Sequence, residues 1–183
     1  MVVSASLKVL IYSAGATGTG GIQSFTRRLA DALQECDGLR VLALDYALPA
    51  SRSPYARIFS KLSARARLVR LCRADRPDWI ISTEWDPCGY FAERVRRRGV
   101  PRTLCVTHGQ EIYRMPVGLR GRAKRAVRDR LFSSCAALVA VSSYTADRLR
   151  AEGVTRQIAI IGNMAPEVSA LRSREVFHNG QVC

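Results

Sequence analysis

The sequence predicts an α/β domain of the Rossmann-like, doubly wound kind, a parallel sheet with helices on both faces. Three observations carry that expectation. Short apolar runs alternate with longer stretches of helical period along most of the chain. The runs are nearly continuous in Val, Ile, Leu and Ala, as strands covered on both faces are. A glycine-rich turn, 15-GATGTGG-21, joins the first run to the first helical stretch, at a place where α/β domains hold phosphates on backbone N–H groups.

The expected strands are 8-KVLIYS-13, 40-RVLALDY-46, 78-DWIIST-83, 103-TLCVTH-108, 137-ALVAVS-142 and 157-QIAIIG-162. Between them lie 23–36, 55–73, 88–98, 117–134 and 143–153, each with apolar residues three and four apart, such as Phe25, Leu29 and Leu33. Strand and helix alternating about five times is the pattern of right-handed βαβ units. From about Met164 to Cys183 the pattern stops, so the expected organisation is one domain over 1–166 and an irregular tail over 167–183.

Length and composition bound the function classes. A chain of 183 residues, 48% hydrophobic and 24% charged, can bury a real core. A net charge of +14 favours anionic partners: nucleic acid, a membrane face or acidic small molecules. Only 7% of the residues are aromatic and no nucleic-acid recognition motif is present, so a specific nucleic-acid partner is not expected. The six cysteines, Cys36, Cys72, Cys88, Cys105, Cys135 and Cys183, form no C-x-x-C pair. They read as buried free thiols, with no metal site, and favour a reducing compartment. No signal peptide and no membrane-spanning run are visible, so the expected address is cytoplasmic.

In a doubly wound sheet, ligands bind at the carboxyl ends of the strands, near the switch in strand order. The residues to inspect are therefore Gly15 to Gly21, Asp45, Thr83 to Trp85, His108 to Glu111, Ser142 and Asn163. Gly15, Gly18 and Gly21 match a turn seen in short-chain dehydrogenase relatives, and Asp45 could bond a ribose hydroxyl, which makes an NAD(P)-binding reductase-like domain one alternative. Such an enzyme would need a Tyr with a Lys four residues on. Tyr144 is followed at that offset by Arg148 and Tyr113 by Val117.

More residues agree with another resemblance. The segments 18-GTGGIQSFTRRLADAL-33, 105-CVTHGQEIYR-114, 136-AALVAVSSYTADRLRAEGV-154 and 157-QIAIIGN-163 resemble, in order and spacing, the N-terminal domain of glycosyltransferase family 4. These are GT-B enzymes with two Rossmann-like domains around a cleft. The resemblance covers residues 7 to 166. It implies retaining transfer of a sugar from a nucleotide sugar to a saccharide or lipid-linked acceptor, with the donor as substrate and no cofactor. By the same resemblance, the Gly20 and Gly21 amides would face the donor diphosphate. His108 would be the catalytic-site histidine beside the sugar. Glu111 would hold an acceptor hydroxyl or cap the following turn, and Asn163 would be a substrate contact. Ser142 would cap the helix that follows it. Two departures stand out. The family's P-N-G-V-D is here 162-GNMAPEV-168, and the family's donor-binding second domain has no counterpart before Cys183. Glu167 and Glu175 reproduce an E-x7-E spacing without its context. The chain is therefore expected to be weakly active or inactive alone, with a separate donor-binding chain as one possible partner.

The positive charge is concentrated over Arg94–Arg102 and Arg114–Arg130. In the second cluster Leu119, Ala123, Val127 and Leu131 recur every four residues beside a stripe of Arg120, Lys124 and Arg128. That predicts an amphipathic basic helix facing an anionic membrane, with peripheral attachment at its inner face. A non-catalytic remnant that binds only a membrane or a partner is the other alternative.

Overall fold

The computed structural model describes residues 6–13, 20–46, 53–96, 102–109 and 118–162. Its six strands are β1 (Leu7–Ser13), β2 (Leu39–Asp45), β3 (Trp79–Ser82), β4 (Arg102–Thr107), β5 (Ala137–Ala140) and β6 (Ile158–Ile160). They pair in parallel throughout, in the order β2-β1-β3-β4-β5-β6. The helices are α1 (Gly21–Gln34), α2 (Pro54–Asp75), α3 (Tyr90–Arg96), α4 (Leu119–Ser134) and α5 (Ser143–Ala151). The expected α/β class, with a parallel sheet and helices on both faces, is the observed one.

Register decides which side chains share a face. Leu10 and Tyr12 of β1, Ile80 of β3 and Cys105 of β4 fall on one side, where α2, α3, α4 and α5 pack. The opposite side carries Ile81, Leu104, Val106 and Val139. It is covered by Phe25, Leu29 and Leu33 of α1, the apolar stripe expected for that helix. Among the described residues α1 is the only helix on that face. It starts beside the carboxyl end of β1, which places its amide end at the ligand-binding edge of the sheet.

Local chemistry explains several boundaries. Helix α2 ends where Arg76 turns left-handed (φ 48°) ahead of Pro77, a residue that disfavours helical backbone before it. Helix α5 begins as expected at Ser142, whose Oγ accepts the Thr145 N–H at 3.1 Å. The stretch 88–98 departs from a single helix. An irregular turn over Trp85–Gly89 precedes α3, with Asp86 in non-helical backbone. Gly89 lies so close to the sheet that a Cβ there would meet Leu131 Cδ2 at 2.9 Å and Cys105 Sγ at 3.3 Å. The expected boundary at 166 and the tail 167–183 lie outside the described residues.

The basic helix corrects an expectation. Residues four apart advance 400° on a helix of 100° per residue, so an i+4 stripe drifts 40° with each step. Over Leu119 to Leu131 the drift is a third of a turn. Leu119 is exposed, Ala123 and Val127 are on the outside, and Leu131 is buried. The polar stripe drifts with it. Arg120 is exposed, Lys124 is half-buried and Arg128 is 1% exposed. Arg128 is therefore not membrane-facing. Its guanidinium bonds Asp129 Oδ1 at 2.9 Å and Glu152 Oε2 at 3.0 Å, since a charge at that depth needs partners. Lys124 is also turned inward, to Asp86 at 2.8 Å and over the Trp85 ring.

Candidate active site

The strand order places the switch between β1 and β3, whose next strands run outward in opposite directions. The crevice outside their carboxyl ends is where this fold binds ligands. Backbone hydrogen bonds continue the pairing past the strand ends: Tyr46 N–H to Ser13 O at 2.6 Å, Thr83 N–H to Tyr12 O at 3.0 Å, and Val141 N–H to Thr107 O at 3.2 Å. Ser13, Thr83 and Thr107 are thereby held in a buried row at the edge of the sheet.

Helix α1 rises directly above this row. Gly20 is its N-cap, in extended backbone, and makes no side-chain cap hydrogen bond. The N–H groups of a first turn have no partners within their own helix, and the helix dipole adds positive potential there. No acidic residue lies in that first turn to neutralise it. Among the described residues nothing lies within 4 Å of where a Gly21 Cβ would stand, whereas a Cβ on Gly20 would run into the Gln23 side chain. The helix is tied down one turn further on. Thr26 Oγ1 donates to Ile22 O at 2.8 Å and shares a hydrogen bond with Ser13 Oγ at 3.3 Å.

His108 follows β4 and lies in the same crevice. Its Nε2 is 2.9 Å from the Thr83 carbonyl. A carbonyl can only accept, so Nε2 carries the proton. The ring meets Phe25 of α1 edge to face, with centroids 5.4 Å apart and planes at 88°. Burial lowers the imidazole pKa from 6.5, partly opposed by the bond to Thr83, so the ring is neutral at pH 7. His108 is therefore a neutral ring whose Nε2–H is given to the backbone. The Thr83 hydroxyl is fully buried and has no hydrogen-bond partner among the described residues.

Gly20 and Gly21 thus open α1, and His108 meets Phe25 one turn along that helix and bonds the Thr83 carbonyl. Arg120, Lys124 and Arg128 do not form one surface. Glu111, Asn163 and the turn from Gly15 to Gly18 lie outside the described residues. Sequence reasoning marked Thr83 only as a strand end and Phe25 only as core. The missed link was the contact each makes with His108, for which local sequence holds no signal.

Other candidates carry less chemistry. Cys72, Cys88, Cys105 and Cys135 are buried free thiols, as expected, whereas Cys36 is exposed. Burial pushes Cys72 and Cys135 up to about 11 and Cys88 well above its ordinary value, so these thiols stay protonated and unreactive. Burial likewise raises the Tyr12 phenol far above its ordinary range. Among the described residues no group of His, Cys, Asp and Glu could hold a metal ion, and no helix is long and apolar enough to cross a membrane.

Comparison with known proteins agrees with the fold and with the family resemblance. A family model described as Glycosyltransferase Family 4 matches residues 19–165. No curated protein matches the chain in sequence. Among solved structures, the fold is similar to an S. aureus MnaA–UDP co-structure (TM-score 0.60, 12% identity, 94% of this chain and 49% of that one). It is also similar to a UDP-GlcNAc 2-epimerase from Neisseria meningitidis bound to UDP-GlcNAc (TM-score 0.60, 12% identity, 93% and 51%). A third likeness is to a UDP-N-acetylglucosamine 2-epimerase from Rickettsia bellii (TM-score 0.50, 14% identity, 92% and 48%). The chain spans about half the length of these structures.

Proposed function

We propose, for a chain that belongs to glycosyltransferase family 4, that it forms the acceptor-side half of a catalyst moving a sugar from a nucleotide sugar to a saccharide or lipid-linked acceptor. In that reaction the bond from the sugar's anomeric carbon to the diphosphate oxygen breaks. A new bond forms to an acceptor oxygen on the same face, and the acceptor proton leaves with the nucleoside diphosphate. The observation that carries the reading is the amide end of α1, whose N-cap Gly20 gives no side-chain hydrogen bond, with Phe25 one turn along the same helix meeting the His108 ring. Preorganised N–H donors facing a departing diphosphate stabilise the charge that develops on it. His108 serves as a neutral wall and hydrogen-bonding group beside the sugar. Glu111 and Asn163 remain proposed substrate contacts. No metal or cofactor is called for. The cytoplasm is the proposed site of action, where nucleotide sugars would be met, and a donor-binding half is the proposed partner.

The two solved structures with bound nucleotide or nucleotide sugar are named for UDP and UDP-GlcNAc, which makes uridine nucleotides the first donors to try. The NAD(P) alternative gains no support from the strand order. Dinucleotide-binding folds run 3-2-1-4-5-6, whereas here β3 lies against β1.

The test is amide chemical-shift mapping of the 183-residue chain titrated with UDP, UDP-GlcNAc or NADPH. The expected result is a response to a nucleotide sugar centred on Gly20, Gly21 and the first turn of α1, reduced in the His108→Ala variant. A response to NADPH alone, or none at α1, would overturn the reading.

A further inference from the structure

Helix α2 exposes an apolar surface that its own fold does not use. Its buried side consists of Ala64, Leu68 and Cys72, which pack on Leu10, Tyr12 and Ile80 of the sheet. On the opposite side, Tyr55 is 73% exposed, Ile58 55%, Phe59 70% and Leu62 55%. These four follow an i, i+3, i+4, i+7 spacing and so form one contiguous stripe. Large exposed apolar patches mark interaction sites, and two of these residues are aromatic. The stripe runs on along α2 into an open groove lined by Leu62, Ala66 and Val69 together with Arg65, Arg70 and Arg73. At 100° per residue Arg65 and Arg70 flank the stripe and Arg73 lies at its far end. Asp75 is the single acidic residue of the helix.

We infer that this face of α2 seats on an anionic lipid surface, inserting Tyr55, Ile58, Phe59 and Leu62 among the acyl chains while Arg65, Arg70 and Arg73 meet the headgroups. The inference moves the membrane contact expected for α4 onto α2, and it rests on the exposure of α2 rather than on the proposed reaction. Charge complementarity selects the occupant. A second copy of the chain would set one arginine-flanked face against another, and Asp75, on the sheet side of the helix and paired with Arg40, could not offset them. A bilayer bearing anionic headgroups satisfies both the apolar stripe and its basic flanks, the two signals that reversible membrane attachment combines. The 22-residue helix is about 33 Å long, so it can lie along a membrane with its inner side still packed on the sheet.

The test uses the 183-residue chain without nucleotide, sedimented with vesicles of phosphatidylglycerol and phosphatidylcholine or of phosphatidylcholine alone. Binding is expected only to the anionic vesicles and is weakened by salt. Ile58→Ser with Phe59→Ser should weaken it about tenfold or more. Arg65→Gln and Arg70→Gln should each weaken it about fivefold. Arg120→Gln with Arg122→Gln on α4 should change it less than either α2 change does. These side chains are on the surface, so thermal unfolding should match the parent chain; if the serine pair unfolds, the glutamine variants decide alone. Equal binding to both vesicles, no effect of the α2 changes, or a greater effect of the α4 pair would overturn the inference. So would concentration-dependent self-association that the serine pair abolishes without altering vesicle binding. Failure here leaves the nucleotide response of α1 untouched, and failure of that response leaves vesicle binding untouched.

Discussion

Single residues make the site what it is. His108 was legible as a strand-end histidine within 105-CVTHGQE-111, but its charge state was not. That depends on burial and on the Thr83 carbonyl, which comes from a strand 25 residues earlier. The sign of the effect on stability follows. The folded pKa is lowered, so the unfolded chain binds more protons in the acid window and stability rises with pH there. The contribution is complete above the unfolded value of 6.5 and is lost as pH falls through the lowered folded value. Urea denaturation should show stability falling as the pH drops below 6.5, with a shallower slope in His108→Gln. An equal slope in the variant would contradict the assignment. Gly89 gives a second prediction. Its missing Cβ admits Leu131 and Cys105, so Gly89→Ala should lower unfolding free energy by about 1–3 kcal/mol through overpacking, seen as a reduced urea midpoint with an unchanged slope.

At the scale of elements, period identified which stretches are helices and was a poorer guide to which side each buries. On α1 the stripe of Phe25, Leu29 and Leu33 is the packed side, because the helix has one apolar side to offer. On α2 two apolar sides compete, and the sheet takes Ala64, Leu68 and Cys72, leaving Phe59 and Ile58 outside. Small residues there let the helix approach the strands closely. On α4 the drift of a four-residue repeat sends Leu119 outward and Arg128 inward. Arg128 then acts as packed volume as well as charge, lying over Phe132 and bonded to Asp129 and Glu152. Arg128→Ala should therefore cost about 2–4 kcal/mol in chemical denaturation, as a truncated buried side chain does, while leaving vesicle binding unchanged. Arg120→Ala, on the exposed face, should cost less than about 0.5 kcal/mol. Comparable losses from the two would show that Arg128 is not buried.

For the molecule as a whole, alternation of apolar runs and helical stretches sufficed to predict a parallel α/β sheet, because buried parallel strands must be continuously apolar and need helical crossovers. It left open the strand order, which depends on where each crossover returns, and hence the position of the crevice. The candidate site was legible in part. The glycine turn and the strand-end histidine announced themselves because backbone approach and imidazole chemistry each require a particular residue type. Their partnership, through Phe25 and Thr83, was not legible, because it joins residues distant in the chain. The sequence by itself determined the fold class, the family and the residue types available at the carboxyl edge of the sheet. Only the tertiary structure decided that β1 and β3 meet at the switch, that His108 is neutral and tied to the backbone, that Arg128 is internal, and that α2 carries the exposed apolar face. Each of those depends on burial and on contacts between distant segments, quantities that exist only once the chain has packed.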